Sequence, residues 1–321
     1  MTSVRERRTR VNGVELVVTE AGDPAAPPVI CAHGFPESSY SWRYTLPALA
    51  EAGFHAIAPD QRGYGASSCP TVVDAYGIEQ LAGDLIGLLD ETGEEQAVFV
   101  GHDWGALIVW DLARLYPERV RAVVGVSVPF IDWPIAPTAL FKAAYPNRFF
   151  YILYFQEVGP VEAELGRDPR RTMAKTLWGA SGDAYRADAD AEFPVDGTGF
   201  LDVVPDLPAR LPPWLTDADI DHYAAQFTQS GFFGPVSYYR NLDANWRKVK
   251  EFPPSRVSMP SFFIAGDRDV VVARNPGGIE AMKALLTNLR GVVMIPGVGH
   301  WTQQEAPGAF NDALLGFLRT L

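Results

Sequence analysis

Asp103, Asp269 and His300 are the side chains whose types and settings could together do chemistry. Asp103 is the centre of Gly101-His102-Asp103-Trp104-Gly105, where the apolar run of Ala97 to Val100 switches to a helical pattern. Strand, sharp turn and helix, with a glycine two residues either side of the central side chain, is the layout of a nucleophile elbow. An elbow lifts one side chain above a sheet, at a helix N-terminus whose N–H groups favour an anion. The competing reading is that Asp103 only caps the helix. Asp269 stands in Gly266-Asp267-Arg268-Asp269 after Phe262-Phe263-Ile264-Ala265, and His300 in Gly297-Val298-Gly299-His300 after Val292-Val293-Met294-Ile295.

A serine attacking a saturated carbon would form an ether, a dead end. A carboxylate attacking the same carbon forms an ester whose carbonyl belongs to the enzyme. His300 can then activate water against the Asp103 carbonyl carbon, with Asp269 orienting the imidazole. The backbone N–H groups of Phe35 and Trp104 would hold the oxyanion of that second step. Asp at the elbow restricts the substrate to a strained or activated sp³ carbon, with an epoxide oxygen or a halide departing. Asp267 competes with Asp269 as the acid, and Asp132, after the next strand, is another position for it. His33 reads as shaping the turn beneath the oxyanion hole. His55, His102 and His222 have no evident partner in the sequence and read as structural.

Strands with carboxyl-terminal polar ends must position these groups. Residues 8–11 and 14–20 read as a hairpin about Asn12-Gly13. Val29-Ile30-Cys31-Ala32 is a strand ending in His33-Gly34-Phe35-Pro36, residues 41–52 look helical, and His55 to Ala58 is a strand closing at Pro59-Asp60. Ile78, Leu81, Leu85, Leu88 and Leu89 mark an amphipathic helix. Val120 to Val128 is a further strand, apolar on both parities, which means burial on both faces as in a parallel sheet flanked by helices. The pattern breaks between Pro129 and Pro253, where helical stretches such as Phe149 to Glu157 and Asp217 to Gln226 prevail and Asp183 to Asp206 reads as an acidic surface loop. It resumes with Phe262 to Ala265, a helix near Ile279 to Leu289, Val292 to Ile295 and a last helix from Pro307. An α/β chain interrupted and resumed implies a core of residues 1–128 and 251–321 with an inserted helical lid at 129–250. No repeat or low-complexity tract is present.

With 321 residues, 47% hydrophobic and 21% charged, the chain can build one large core and an inserted subdomain. A net charge of −12 argues against nucleic acid or an anionic membrane as partner. Met1 to Arg10 lacks the apolar run of a secretory signal, and no stretch has transmembrane length. Cys31 and Cys69 make no disulfide framework, no Cys/His cluster has zinc spacing, and Cys31 reads as an inert small hydrophobe. A reducing, cytoplasmic setting is expected.

His33-Gly34-Phe35-Pro36-Glu37-Ser38, Ser41-Trp42-Arg43, Asp60-Gln61-Arg62-Gly63-Tyr64-Gly65 and Gly101-His102-Asp103-Trp104-Gly105 together resemble the α/β-hydrolase-fold epoxide hydrolases. The likeness runs over nearly the whole chain and is weakest between about residues 180 and 215. It implies an α/β-hydrolase fold with a helical cap, and conversion of small-molecule epoxides and water to vicinal diols without cofactor or metal. It also implies Asp103, Asp269 and His300 in the roles above, with two lid tyrosines protonating the epoxide oxygen. Leu153-Tyr154-Phe155-Gln156-Glu157 and Tyr238-Tyr239-Arg240-Asn241 match that part of the pattern, which assigns Tyr154 and Tyr239. Tyr238 lies roughly 100° round the helix, so only one of that pair should face the site. Substrate contacts are expected from Phe35, Trp104, Tyr154, Tyr239 and Trp301. Selectivity falls to lid side chains such as Phe130, Trp133, Phe150, Trp178 and Phe200. Dehalogenases of this fold usually carry Asn where Phe35 stands, and fluoroacetate-type ones Arg where Trp104 stands. Both departures favour an epoxide. A homo-oligomer is possible on this reading, and a catalytically silent ligand-binding protein of the same fold is the non-enzymatic alternative.

Overall fold

Continuous apolar runs make the central strands of the sheet, buried on both sides, and in the computed structural model, which describes residues 4–186 and 193–321, that sheet has eight strands. They are β1 (Val4–Val11), β2 (Val14–Ala21), β3 (Pro28–Ala32), β4 (His55–Asp60), β5 (Ala97–His102), β6 (Val120–Val126), β7 (Ser261–Gly266) and β8 (Leu289–Ile295), in the spatial order β1-β2-β4-β3-β5-β6-β7-β8. β1, β2 and β4 pair antiparallel and all later neighbours parallel. Asn12 and Gly13 both have positive φ, as the tight turn between β1 and β2 requires. The strands' two parities serve two cores. Val29, Cys31, Val98, Val100 and Val124 meet Trp42, Phe310 and Leu314 on one face. Ile30, Phe99 and Val123 meet Leu85, Ile108 and Leu112 on the other.

β3 has β4 on one side and β5 on the other, so the chain reverses direction across the sheet between them. The carboxyl ends of β3 and β5 therefore open a crevice at that switch point. Between β6 and β7 the regular elements among the described residues are helices, among them Pro137–Ala144, Tyr151–Tyr154, Pro160–Leu165, Pro169–Gly179, Asp217–Ser230, Phe233–Arg240 and Leu242–Val249. Their apolar residues, including Phe155, Leu177, Phe227 and Tyr239, join the core on the second face of the sheet. No helix among the described residues is long and apolar enough to cross a membrane.

Several elements differ from the sequence expectation. Residues 41–52 divide into a short 3-10 turn (Ser39–Trp42) and a helix (Thr45–Glu51). β6 stops at Val126 because Ser127 takes a positive φ of 68°. The helix expected over Phe149 to Glu157 shrinks to the turn Tyr151–Tyr154. Its next carbonyls, Phe155 and Glu157, accept from the Arg240 guanidinium instead of from helix N–H groups. Of the acidic loop expected over Asp183 to Asp206, residues 187–192 lie outside the described residues.

Candidate active site

β5 ends at His102, and the next residue, Asp103, turns with φ 53° and ψ −116° into the helix Trp104–Leu115. Such a backbone costs roughly 1–3 kcal/mol and is kept only where packing enforces it. The enforcement is visible in the glycines: a β-carbon on Gly101 would overlap the Gly105 carbonyl, and one on Gly105 the Ala32 carbonyl. Gly34 is equally committed, since a β-carbon there would collide with the Asp103 side chain. Asp103 makes no capping bond to its own helix, so the cap reading fails. Its Oδ1 instead accepts the Phe35 N–H at 2.8 Å, and its Oδ2 lies 3.4 Å from His300 Nε2. Trp104, the first residue of the helix, supplies one of the N–H groups that a helix start leaves free.

Both carboxylate oxygens of Asp269 lie 3.1 Å from His300 Nδ1. Asp269 is fully buried and also accepts the Val271 N–H at 2.8 Å. Its competitors are used elsewhere: Asp267 accepts the Gly297 N–H at 2.7 Å, and Asp132 pairs with Arg114 at 3.2 Å.

Across from Asp103 stand two lid phenols, and one of them is not the residue expected. Tyr239 packs on Phe35 and Trp104, with ring centroids 5.5 and 5.0 Å away. Its neighbour Tyr238 donates to the Arg62 carbonyl at 2.9 Å and is excluded from the site. The second phenol is Tyr151, whose ring lies 5.9 Å from that of Tyr239 and feels the Asp103 charge. Tyr154, the expected partner, turns away to bond Glu164 and lines a separate pocket. The two lid segments are tied together by Arg240, which donates to the Phe155 and Glu157 carbonyls at 3.0 and 2.8 Å. Gln156 Nε2 adds a bond to the Tyr239 carbonyl at 3.0 Å.

A family model described as alpha/beta hydrolase fold matches residues 27–152. Epoxide hydrolase A of Mycobacterium tuberculosis is 46% identical over 324 residues, spanning 100% of this chain and 99% of that protein. The crystal structure of epoxide hydrolase A from Mycobacterium thermoresistibile aligns with a TM-score of 0.90 at 45% identity, covering 99% of this chain and 98% of that one. An epoxide hydrolase from an endophytic Streptomyces aligns with a TM-score of 0.93 at 37% identity, covering 98% of this chain and 95% of that one. The chain belongs to the α/β-hydrolase-fold epoxide hydrolases.

In this epoxide hydrolase the charges at the site follow from burial and pairing. Burial alone would raise the pKa of Asp103, but the hydrogen bond and charge of His300 outweigh it, and the net shift is below the ordinary 3.8. Burial would likewise lower His300, yet the carboxylates of Asp269 and Asp103 lift it well above 6.5. Burial first, and then the Asp103 charge, raises both Tyr151 and Tyr239 above the usual phenol range. Both therefore stay protonated and able to donate. Among the described residues no group of three His, Cys, Asp or Glu side chains is arranged to hold a metal ion.

The histidines without evident partners have them. His102 Nε2 donates to the His300 carbonyl at 2.7 Å, and its Nδ1 meets Glu37 Oε2 at 2.6 Å. Glu37 is fully buried and also accepts from Gln304 Nε2 at 2.7 Å, so this network clamps the elbow to the His300 backbone. Sequence reasoning missed Glu37 although it stands inside the His33-Gly34-Phe35-Pro36-Glu37 stretch. His55 bonds Glu20 at 3.2 Å, and His222 stacks on Tyr40 at 3.9 Å. His33 accepts the Gln61 N–H at 3.0 Å and carries the turn, as expected. Trp301, expected among the substrate contacts, is 1% exposed, packs on the His300 ring and donates to the Leu177 carbonyl at 2.6 Å. Of the five lid side chains expected to set selectivity, Phe200 is the one whose ring meets Phe35 and Tyr151.

Proposed function

We propose that this epoxide hydrolase forms its diol through a covalent ester on Asp103. One Asp103 oxygen attacks an epoxide carbon from the side opposite the C–O bond, which breaks. Tyr151 and Tyr239 donate hydrogen bonds to the departing oxygen, and one of the two phenols gives it a proton as the ring opens, becoming a phenolate. Ester formation removes the Asp103 charge, and with it one of the two carboxylates that hold the His300 proton. His300 then loses its proton more readily, to solvent that restores the phenolate to a phenol, and the neutral imidazole takes a proton from water, whose oxygen adds to the Asp103 carbonyl carbon. The Phe35 and Trp104 N–H groups bind the resulting oxyanion, and collapse releases the diol and regenerates the carboxylate.

The observation that carries this reading is the disposition of Asp103. One of its oxygens is held by a backbone donor, the other faces His300, and two neutral phenols stand opposite. The core is assigned to residues 1–128 and 251–321 and the lid to 129–250. Partners are small-molecule epoxides and water, and the net charge of −12 argues against nucleic acid or an anionic membrane surface. The two free cysteines and acidic charge support a cytoplasmic setting. In a single turnover in ¹⁸O-water the label should stay in the protein, on Asp103, while the first diol carries unlabelled oxygen. Label in that first diol would mean direct attack by water and would end the covalent reading.

A further inference from the structure

The lid chain between Pro169–Gly179 and Asp217–Ser230 sends Phe200 inward. Its ring packs on Phe35, Tyr151 and Phe155, with centroids 6.5, 5.8 and 5.3 Å away. It thus touches both the residue whose N–H binds Asp103 and the phenol opposite. The backbone beneath it is held by one carboxylate: Glu164 accepts the Phe200 N–H at 3.0 Å and the Leu201 N–H at 2.7 Å. The approach is close enough that a β-carbon on Gly199 would lie 2.6 Å from Glu164 Oε1. The Tyr154 phenol bonds the same carboxylate. Further along, Lys175 Nζ donates to the Leu201 carbonyl at 2.9 Å and the Trp178 indole to the Asp206 carbonyl at 3.0 Å. Beside this wall lies an open pocket of ≈ 270 Å³ lined by Tyr154, Glu164, Gly199 and Leu201.

We propose that Phe200 is a specificity-determining wall of the epoxide pocket on its Phe35 side, and that Glu164, backed by Tyr154, is the clasp that sets its depth. The inference rests on epoxide opening at Asp103. With the epoxide oxygen at Tyr151 and Tyr239, a substituent directed toward Phe35 must pass the Phe200 ring. A slim substituent passes beneath it. A bulky one meets a ring that yields only if two charge-assisted bonds to Glu164 lengthen or break. Tyr154 and Glu164 are positioning residues: they act on substrate choice through Phe200.

The test compares kcat/KM for 1,2-epoxyhexane and for trans-stilbene oxide in the whole protein. The ratio of bulky to slim substrate should rise about tenfold or more in Phe200→Ala and fall in Phe200→Trp. Glu164→Ala should raise it in the same sense and add little on top of Phe200→Ala, because the two act as one unit. Glu164→Gln keeps an acceptor oxygen and should return the ratio toward wild type, and Tyr154→Phe should raise it by a smaller factor. An unmoved ratio in both Phe200 variants overturns the wall. Additive effects of Glu164→Ala and Phe200→Ala, or no effect in Glu164→Ala with cooperative unfolding retained, overturn the clasp. Should Glu164→Ala not fold, Tyr154→Phe decides the clasp by the same ratio. Failure of the wild-type protein to open either epoxide would count instead against the reaction on which the inference rests.

Discussion

Tyr151 and Tyr154 sit three residues apart on one helical turn, are chemically identical, and have opposite fates. The Tyr151 phenol is raised by burial and by the Asp103 charge; the Tyr154 phenol is raised by burial and by Glu164. The Tyr151 ring meets that of Tyr239, whereas the Tyr154 phenol bonds Glu164, so the proposed mechanism gives the donor role to Tyr151. A strong hydrogen bond to a developing alkoxide contributes roughly 1.5–3 kcal/mol, which is on the order of ten- to a hundredfold in rate. Tyr151→Phe and Tyr239→Phe should each slow alkyl-enzyme formation by that factor in stopped-flow single turnovers, and the double variant by far more. Tyr154→Phe should slow a slim epoxide much less than either. Equal losses in Tyr151→Phe and Tyr154→Phe would contradict this assignment.

At the scale of elements, the site depends on two lid segments staying in register with the elbow. Arg240, whose side chain is 4% exposed, bridges them by donating to the Phe155 and Glu157 carbonyls and pairing with Glu162 at 2.7 Å. It follows Tyr239 directly and fixes the short turn that carries Tyr151. Arg240→Ala would leave the Phe155 carbonyl, on a buried residue, without this donor, a cost of about 1–3 kcal/mol. The expected outcome is a lower unfolding midpoint in urea together with a drop in kcat larger than the rise in KM, since the phenols would lose their spacing. A variant destabilised to that degree but with wild-type kcat would show that Arg240 serves stability alone.

For the molecule as a whole, the lid docks on the core through Asp219 as well as through apolar contacts. Asp219, on the lid helix Asp217–Ser230, accepts the Tyr40 hydroxyl at 3.0 Å and pairs with Arg43 at 3.1 Å, both from the loop after β3. Burial alone would raise its pKa; hydrogen bonds from Thr216, with Arg43 and Tyr40, bring it below the ordinary 3.8. An acid whose pKa is depressed by folding stabilises the fold above its unfolded value, and this contribution fades as pH falls through the folded value. Asp219→Asn should therefore lower Tm most near neutral pH, with the gap to wild type closing as pH falls below about 4. Circular-dichroism melts from pH 7 to 3 read this directly, and a gap independent of pH would show that the charge plays no part in docking.

The strands, the elbow at Asp103, Asp269 and His300 were legible in the sequence because each depends on local rules. Apolar runs of strand length form strands, a glycine stands where no β-carbon fits, and a polar group at a strand's carboxyl end faces the crevice. The helical character of the interrupting block was legible for the same reason. What only the tertiary structure decided is which side chains of that block meet the site. Tyr151 rather than Tyr154 meets the Tyr239 ring, Tyr238 goes to the Arg62 carbonyl, and Trp301 packs on His300. His102 finds Glu37 across 65 positions, and Phe200 reaches Phe35 across 165. For the tyrosines, neighbouring residues of the same type compete. The choice between them comes from hydrogen bonds and ring contacts with partners far along the chain, which no local periodicity records.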